Sequence, residues 1–272
     1  MADIAFYLLR QRVGQLTNGE GLVGTPDGGY STTGFNSADL AAYPDDFFND
    51  WHGRFYAGKD KGTNFEVTDF AKTAGATIFS PALSSAAEAG HKFELYQHFS
   101  PLEIGNMINV SISMVEREAL IDSVDETLKV LSSTTYEYTV PAGFAFVDEI
   151  YLEQSTAGRY SVGENLIDYR HWRVLNSTPS RIWFDPSWVS LVAGRKLRLV
   201  GQAVQQQLVD DEDLCAINQA FIVYQAKALL HESRIRGPGS DFEAHSTQMA
   251  LAQSRADAER VGLRVTATGR KV

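Results

Sequence analysis

Cysteine is almost absent from this chain of 272 residues, since Cys215 is the only one. A single thiol excludes an intrachain disulfide, and its place in an apolar-rich helical segment predicts a buried thiol rather than a nucleophile. Long apolar runs are also absent, so no segment is expected to span a bilayer. The first residues show no basic segment followed by an apolar run, so we expect no signal peptide. These absences predict a chain that folds in the reducing cytoplasm and does not enter a membrane.

Positive charge is scarce relative to negative charge. The sequence has 24 lysine and arginine residues against 34 aspartate and glutamate residues, a formal net charge of −10. This balance disfavours nucleic acid or an anionic membrane as a partner of the whole surface. Hydrophobic residues make up 44% of the chain, which is enough to bury the core of one large domain or of two small ones.

Motifs that carry chemistry are missing as well. The six histidines include no pair at the spacing of helical metal ligands, and neither a nucleophile elbow nor a P-loop occurs. The segment Gly19–Gly24 fits the dinucleotide-binding glycine pattern, but the residues after it continue a loop instead of beginning a helix. The acidic run Asp210–Asp213 lacks the alternating ligands of a calcium loop and is typical of a helix N-terminus. We therefore expect no cofactor, no metal and no enzymatic activity.

The strongest helix signal begins at Ser100. Ser100 and Glu103 fit a capping box, and Pro101 suits the first helical turn. The residues that follow place an apolar side chain on one face at every third or fourth position: Ile104, Met107, Ile108, Ile112, Val115 and Ala119. This pattern predicts an amphipathic helix over residues 101–120.

Two further helices are predicted near the C-terminus. The first begins at an Asp210 or Asp211 cap and spans residues 211–235, with apolar residues at helical spacing: Leu214, Ile217, Phe221, Tyr224 and Ala228. The second follows a capping box at Ser240 and Glu243 and spans residues 240–262. The predicted contact between the Ser100 helix and the Asp211 helix consists of Ile104, Ile108, Ile112, Ile217, Phe221 and Tyr224.

Strand patterns fill the two regions 51–100 and 130–207, where apolar and aromatic residues alternate between turn signals. They predict an antiparallel β-sandwich or barrel-like domain, so the chain belongs to the α+β class. Residues 101–129 and 208–262 are predicted to form a helical core, and residues 1–50 to hold short helices and a glycine-rich arm. The arm, over residues 17–34, either orders on a neighbour or is disordered. Residues 263–272 form a basic tail.

Three segments together resemble the head-tail connector or adaptor proteins of tailed bacteriophages. The first runs from Phe65-Glu-Val-Thr-Asp-Phe70 through Ile78-Phe-Ser-Pro-Ala-Leu83 to the helix at Phe99-Ser-Pro-Leu-Glu-Ile104. The second runs from Tyr136-Glu-Tyr-Thr-Val-Pro141 to Val147-Asp-Glu-Ile-Tyr-Leu152. The third is Gly194-Arg-Lys-Leu-Arg-Leu-Val-Gly201 followed by the predicted helix from Asp213 to Arg234. The resemblance covers about two thirds of the chain, residues 50 to 235.

The resemblance implies a structural virion protein of the neck region without catalytic residues. Such proteins form a ring, commonly dodecameric, between the portal and a tail terminator, stopper or tail tube protein, and genomic DNA passes through the lumen. Family members often dock on the portal through a C-terminal helix or tail. The residues that this implies as portal contacts are Arg234, Arg236, Arg264, Arg270 and Lys271.

Two other functions stay open on the sequence. A carbohydrate- or receptor-contacting virion protein is favoured if Trp188 and neighbouring aromatic residues are exposed, because sugars stack on exposed rings. A hydrolase is favoured if distant titratable residues meet in a deep pocket.

Overall fold

A computed structural model of the chain describes residues 3–19, 21–154, 158–160, 165–235, 241–263 and 270–271. The fold is a mixture of α-helices and antiparallel sheets, one of them curled into a half-barrel, which confirms the α+β class. The chain divides into two compact units. Unit 1 consists of Met1–Met114 and Gln207–Leu263, and unit 2 consists of Val115–Gln206 and Arg264–Val272. The two predicted strand regions therefore lie in different units.

Unit 1 contains the helices of the described chain and a large antiparallel sheet. The helices are α1 (Phe6–Asn18), α2 (Pro101–Met114), α3 (Gln219–Ile235) and α4 (Phe242–Arg260). The strands are β1 (Ile4–Ala5), β2 (Gly21–Gly24), β3 (Gly34–Asn36), β4 (His52–Ala57), β5 (Asn64–Ala71), β6 (Ala76–Ser80), β7 (Lys92–Tyr96) and β14 (Leu214–Cys215). Six of them form a sheet in the order β2-β7-β4-β5-β6-β3, and β1 pairs with β14.

One side of the six-stranded sheet buries an aromatic core. Strand β5 alternates buried and exposed residues as predicted, with Phe65 and Val67 inside, before a bulge shifts the register and places Phe70 inside as well. The largest side chains of this core are Phe35, Phe48, Trp51, Phe55, Phe65, Phe70, Phe79 and Phe93. Many of these rings meet edge to face or tilted, the arrangement that aromatic quadrupoles favour.

The capping box of α2 is present. The backbone N–H of Glu103 donates to Ser100 Oγ at 3.2 Å, and the backbone N–H of Ser100 donates to Glu103 Oε2 at 2.9 Å. Ile104, Ile108 and Ile112 are buried along one face. The helix ends at Met114 rather than at residue 120, because Leu120 already belongs to a strand of unit 2.

The predicted start of α3 was wrong by about two turns. Asn218 is the cap, its Oδ1 accepting the backbone N–H of Ala220 at 2.9 Å, and the helix begins at Gln219. Leu214 and Cys215 instead form β14, so neither they nor Ile217 lie on the helix. The helical spacing of apolar residues extends from α3 back to Leu214. A strand of two residues is too short to show an alternating pattern of its own, so the spacing alone predicted a helix there.

The glycine-rich segment predicted as an arm is part of the sheet. Its first residues end α1, Gly21–Gly24 pair with β7, and Gly34 begins β3. Residues 1–50 were predicted to hold short helices, and of these residues 37–50 form a series of turns instead. For α4, Asp241 provides the cap, its Oδ1 accepting the backbone N–H of Ala244 at 3.0 Å, whereas Ser240 lies outside the described residues.

Unit 2 is built from two smaller antiparallel sheets. Its strands are β8 (Leu120–Asp125), β9 (Glu137–Thr139), β10 (Phe144–Leu152), β11 (Trp172–Leu175), β12 (Arg181–Phe184), β13 (Leu197–Val204) and β15 (Arg270–Lys271). One sheet has the order β15-β10-β13-β8 and the other β11-β12-β9. Strands β9 and β10 lie on either side of Pro141, but they do not form a hairpin, because β9 pairs with β12 and β10 with β13.

Both sheets of unit 2 contribute to one hydrophobic core. The first sheet supplies residues such as Val147 and Leu199, and the second supplies Trp172 and Phe184, all of them buried. The C-terminal strand β15 adds to the free edge of β10, where Arg270 pairs with Val147 and Lys271 with Phe146. Part of the predicted tail is therefore hydrogen-bonded to a sheet.

None of the described helices combines the length and the apolar character that crossing a bilayer requires.

The capping box gives a first prediction. Replacing Ser100 by alanine leaves the backbone N–H of Glu103 without its acceptor, and we expect the free energy of unfolding to fall by about 1 kcal/mol. Ser113→Ala is the matched control, because Ser113 is exposed in the same helix and bonds only the carbonyl of Asn109. Urea unfolding of both variants measures the difference. Equal midpoints would show that the box does not stabilise α2.

Candidate functional site

The acidic run Asp210–Asp213 has a role different from the one predicted. It lies at the N-terminus of α1 and not at the start of α3. The backbone N–H groups of Phe6 and Tyr7 donate to the carbonyls of Asp213 and Asp211 at 2.8 and 3.0 Å. The run therefore satisfies the first donors of a helix more than 200 residues earlier in the chain.

The Asp211 side chain belongs to a buried ion network. It is 1% exposed, and its Oδ1 lies 2.8 Å from Arg10 Nη2 and 3.1 Å from Arg54 Nε. Arg10, also 1% exposed, donates through Nε to Glu94, which is fully buried in β7. The hydroxyl of Tyr96 donates to the other oxygen of Glu94 at 3.2 Å. Two carboxylates and two guanidinium groups thus compensate one another inside unit 1.

Burial shifts the acid–base properties of this network. Removal from water raises the pKa of Glu94, although the neighbouring Arg10 opposes the shift. Burial alone would lower the pKa of Arg10, but the negative charges of Glu94 and Asp211 outweigh it and the pKa rises. Burial and the nearby Glu94 also raise the pKa of Tyr96. The pairs hold the strands and α1 together, so we assign them a structural role.

His91 forms a second polar cluster in unit 1. Its buried ring places Nε2 3.3 Å from Asp60 Oδ2, and Ser84 Oγ donates to Asp60 Oδ1 at 2.9 Å. In a serine nucleophile triad the serine bonds the histidine, which in turn bonds the aspartate. Here the serine bonds the aspartate, and His91 Nδ1 faces the backbone of Glu88. This order does not activate a nucleophile and instead fixes the loop before β7.

His231 and His245 meet between α3 and α4, with 2.9 Å between their Nδ1 atoms. Burial, Lys227 and His245 lower the pKa of His231 to about 4, so its ring is neutral at neutral pH. Within the described residues, no three metal-ligating side chains come together. The pair therefore acts as a hydrogen bond that joins the two helices.

Cys215 lies on β14, not on a helix. Its side chain is buried, and burial raises the pKa of the thiol to about 11. A thiol with this pKa is protonated at neutral pH and is a poor nucleophile. The glycine pattern around Gly21 follows α1 and leads into β2, the reverse of the strand-then-helix order that holds a pyrophosphate.

The residues predicted as portal contacts do not lie on one element. Arg234 donates through Nη2 to Glu103 Oε1 at 3.0 Å and to the carbonyl of His98 at 3.2 Å, so it joins α3 to the cap of α2. Arg270 and Lys271 lie on β15. Arg236 and Arg264 lie outside the described residues. Of the predicted helix contact, Phe221 and Ile217 are buried and Tyr224 is half-buried.

An open groove of about 480 Å³ separates α1 from α3, and sequence reasoning missed it. The residues that define this α1–α3 groove are Arg12, Gln15, Leu16, Asn218, Gln219, Ala220, Val223 and Tyr224. The Arg12 guanidinium contacts the Gln219 side chain, and Lys227 Nζ donates to the carbonyl of Leu16 at 3.0 Å. Because both walls are helices, the groove has a fixed shape.

Trp188 in unit 2 is exposed, as the receptor alternative requires. The side chain is 72% exposed, and its ring lies nearly parallel to that of His171, with 5.2 Å between the ring centroids and 11° between the planes. Asp185 fixes the loop, because its Oδ1 accepts the backbone N–H of Ser187 and its carbonyl accepts that of Val189, each at 2.9 Å. Tyr169, two residues before His171, is 61% exposed.

The ion network gives a second prediction. Arg10→Met leaves Glu94 with no cationic partner and Asp211 with Arg54 alone, and we expect the free energy of unfolding to fall by roughly 3–5 kcal/mol. Arg181→Met is the matched control, since Arg181 and Glu137 form a 3.3 Å pair whose side chains are about half exposed. The control should lose less than about 1 kcal/mol. Similar losses in chemical denaturation would mean that the buried pairs do not stabilise unit 1 as described.

No known family model matches this chain, and no curated protein sequence does either. A functional proposal for the chain therefore depends on its own residues and surfaces.

Proposed function

We propose that this chain is a structural subunit of the ring between the portal and the tail of a tailed bacteriophage. The subunits assemble with one another into a ring that matches the portal, commonly dodecameric, and contact a tail terminator, stopper or tail tube protein on the opposite side. The chain then resides in the neck of the virion, has no catalytic role, and surrounds the passing genome without binding it specifically. The acidic balance of the chain suits such a conduit, because like charges keep DNA from adhering to the wall.

The observation that carries the proposal is the apolar surface of the helices in unit 1. Leu102, Val110 and Met114 of α2 are 54, 43 and 45% exposed, and their spacing of eight and four residues places them along one face. The other helices expose large apolar residues too: Leu8, Leu16, Phe242 and Leu251. Aligned apolar side chains in water mark surfaces that contact another macromolecule.

The order of the segments also supports the proposal. The chain leaves unit 1 after Met114, builds the sheets of unit 2, and returns to unit 1 at Gln207 before α3. We infer that α2 and α3 form the helical core of the connector arrangement and that unit 2 is its β-domain. Helices α2 and α3 are neighbours, and the Arg234–Glu103 ion pair joins them.

Portal docking is proposed for the C-terminal region. Arg264, Arg270 and Lys271 are the basic residues after α4, and Arg234 and Arg236 lie near the end of α3. The pairing of β15 with β10 gives the end of the chain a defined place on the sheet of unit 2. An edge strand can be extended by a partner chain, and the two basic residues of β15 suit an acidic partner.

Co-sedimentation with portal rings from the same genome tests the ring function. We expect the purified chain to join intact portal rings in stoichiometric amounts and to appear as an added ring in electron micrographs of the heavy fraction. The expectation does not require assembly of the chain alone, because the portal provides the template. Failure to join intact portal rings would reject the connector function.

A truncated chain tests the docking region. Ending the chain after Leu263 keeps this buried residue and removes β15 with the basic residues. We expect the truncated chain to remain folded by circular dichroism and to bind portal rings at least ten-fold more weakly. The variant Arg264→Glu/Arg270→Glu/Lys271→Glu keeps the length and should weaken binding similarly. Unchanged binding of both would place the portal contact elsewhere on the chain.

A second function is favoured by the exposure of Trp188. A rigid, flat indole stacked on His171, with Tyr169 nearby in sequence, fits a carbohydrate- or receptor-contacting surface of a virion or tail protein. In that case, Trp188→Ala should abolish binding on a glycan array without changing the unfolding midpoint, because the side chain is mostly in water. Tyr30→Ala, at an exposed tyrosine of unit 1, is the control. A wild-type chain that binds no glycan would remove the carbohydrate alternative.

A further inference from the structure

Phe242 is an exposed aromatic residue that stands between two acids, and the α1–α3 groove is an apolar cleft with basic side chains beside it. We propose that Phe242 of one copy enters the α1–α3 groove of a neighbouring copy and that this contact joins adjacent subunits. The inference rests on the proposed ring function and names the surfaces through which its subunits meet. Both surfaces belong to unit 1.

The groove offers an apolar floor of suitable size. Leu16 is 47% exposed at its edge, and Val223 and Tyr224 form the wall contributed by α3. Its volume of about 480 Å³ lies in the range of pockets that take small ligands, roughly 300–1,000 Å³. One aromatic side chain therefore fits without rearrangement of the helices.

Positive charge surrounds the groove. Arg12 is one of its exposed lining residues, Lys227 bonds the carbonyl of Leu16, and Arg255 donates to the hydroxyl of Tyr224 at 3.3 Å. Acids of α4 lie on this side as well: Glu259 accepts from Asn218 at 3.0 Å, and Asp257 accepts from Gln253 at 2.9 Å. Burial and the positive charge of Arg255 lower the pKa of Lys227, which is consistent with a local excess of positive charge. On a chain of net charge −10, such a region favours an acidic partner.

Phe242 carries the complementary features. It is the first residue of α4 and is 59% exposed, and it stands between Asp241 and Glu243. Asp241 caps the helix, so the backbone of Phe242 is held in the first turn. The start of α4, residues 241–243 and here called the tip, therefore presents one exposed aromatic residue between two acids on a backbone that the cap holds in place.

The two surfaces lie at opposite ends of the α3–α4 pair. The groove is lined by the first turns of α3, whereas Phe242 lies beyond the level of His231 toward the end of α3, roughly 20 Å away along the helix axis. Three side-chain pairs along the way keep the helices in register: Asn218 with Glu259, Gln225 with Gln253, and His231 with His245. The tip cannot fill the groove of its own copy without breaking these pairs.

A contact between two different surfaces has a consequence for assembly. Each copy keeps a free tip at one end and a free groove at the other, so the contact repeats from copy to copy. Such a head-to-tail contact closes into a ring when the rotation between copies permits it, whereas a contact between identical surfaces stops at a dimer. Head-to-tail growth is the mode that a ring of more than two copies requires.

Disulfide trapping tests the contact directly. Leu16→Cys and Phe242→Cys are made in separate chains, and the native Cys215 gives little background because it is buried. On portal rings under mild oxidation, we expect a disulfide between the two variants when they are mixed, and a ladder of linked copies when both changes are in one chain. Either variant alone should remain unlinked. Linkage of Leu16→Cys with itself, or no mixed disulfide on an assembled ring, would overturn the inference.

A charge exchange gives an independent readout. On portal rings, Arg12→Glu and Glu243→Arg should each weaken incorporation of the chain at least ten-fold in co-sedimentation, and the two changes in one chain should restore most of it. Leu251→Ser is the matched control, because Leu251 is 50% exposed on α4 and lies outside the tip. No restoration in the double variant would contradict the pairing.

Failure of the Phe242 contact can be distinguished from failure of the proposed ring function. If the wild-type chain adds a ring to the portal and Phe242→Ala does so equally well, the ring function stands and the proposed contact is wrong. If the wild-type chain does not join intact portal rings, the ring function fails, and the contact fails with it because it rests on that function.

Discussion

The buried pairing of Arg10 with Glu94 and Asp211 is the constraint on which unit 1 depends. A buried carboxylate without a partner is costly, so Glu94 and Asp211 place α1 where its Arg10 can reach both. The chain segments that meet there are far apart in sequence: α1, the strands β4 and β7, and the loop before β14. Because the loop carbonyls also accept the first N–H groups of α1, a displaced helix would lose ion pairs and backbone hydrogen bonds together. Such coupling specifies one arrangement more strongly than apolar packing alone.

The local sequence around the network provides the space that it needs. Tyr96, whose hydroxyl bonds Glu94, packs so close to Gly14 that a Cβ atom there would lie 2.3 Å from its ring. An alanine at this position would force either the tyrosine or α1 to move. The helix therefore carries a glycine despite the cost of glycine in a helix interior, about 1 kcal/mol relative to alanine. The same ring restricts Gly21 at the start of β2, where a Cβ atom would lie 2.7 Å away. The ring of Tyr96 therefore requires glycine in both α1 and β2, where these elements pack against β7.

Sequence patterns predicted the elements whose structure depends on neighbouring residues in the chain. They failed where contacts between residues far apart in the sequence determine the structure. The Ser100 capping box and the buried stripe of Ile104, Ile108 and Ile112 follow from local spacing. The acidic run was predicted to cap α3, because acidic residues directly before an apolar helical pattern are typical of a helix N-terminus. Its actual partners, Arg10 and the N-terminus of α1, are 200 residues away and leave no local signal. The groove was missed for the same reason, since its walls come from α1 and α3.

The network also helps to position the walls of the α1–α3 groove. Arg10 fixes α1, and the β1–β14 pairing with the Asp213 carbonyl fixes the chain that leads into α3, so both walls of the groove are set by contacts made before any partner arrives. A surface built from rigid helices loses little conformational entropy on association, whereas a loop would have to be ordered at the cost of affinity. In the proposed ring, where the portal would also hold each subunit, weak contacts of this kind would become strong, because the neighbouring copy would bind at high effective concentration. On the proposed function, a subunit with a preformed groove and an exposed Phe242 between two acids would remain dissociated in solution and assemble where the portal aligns its copies.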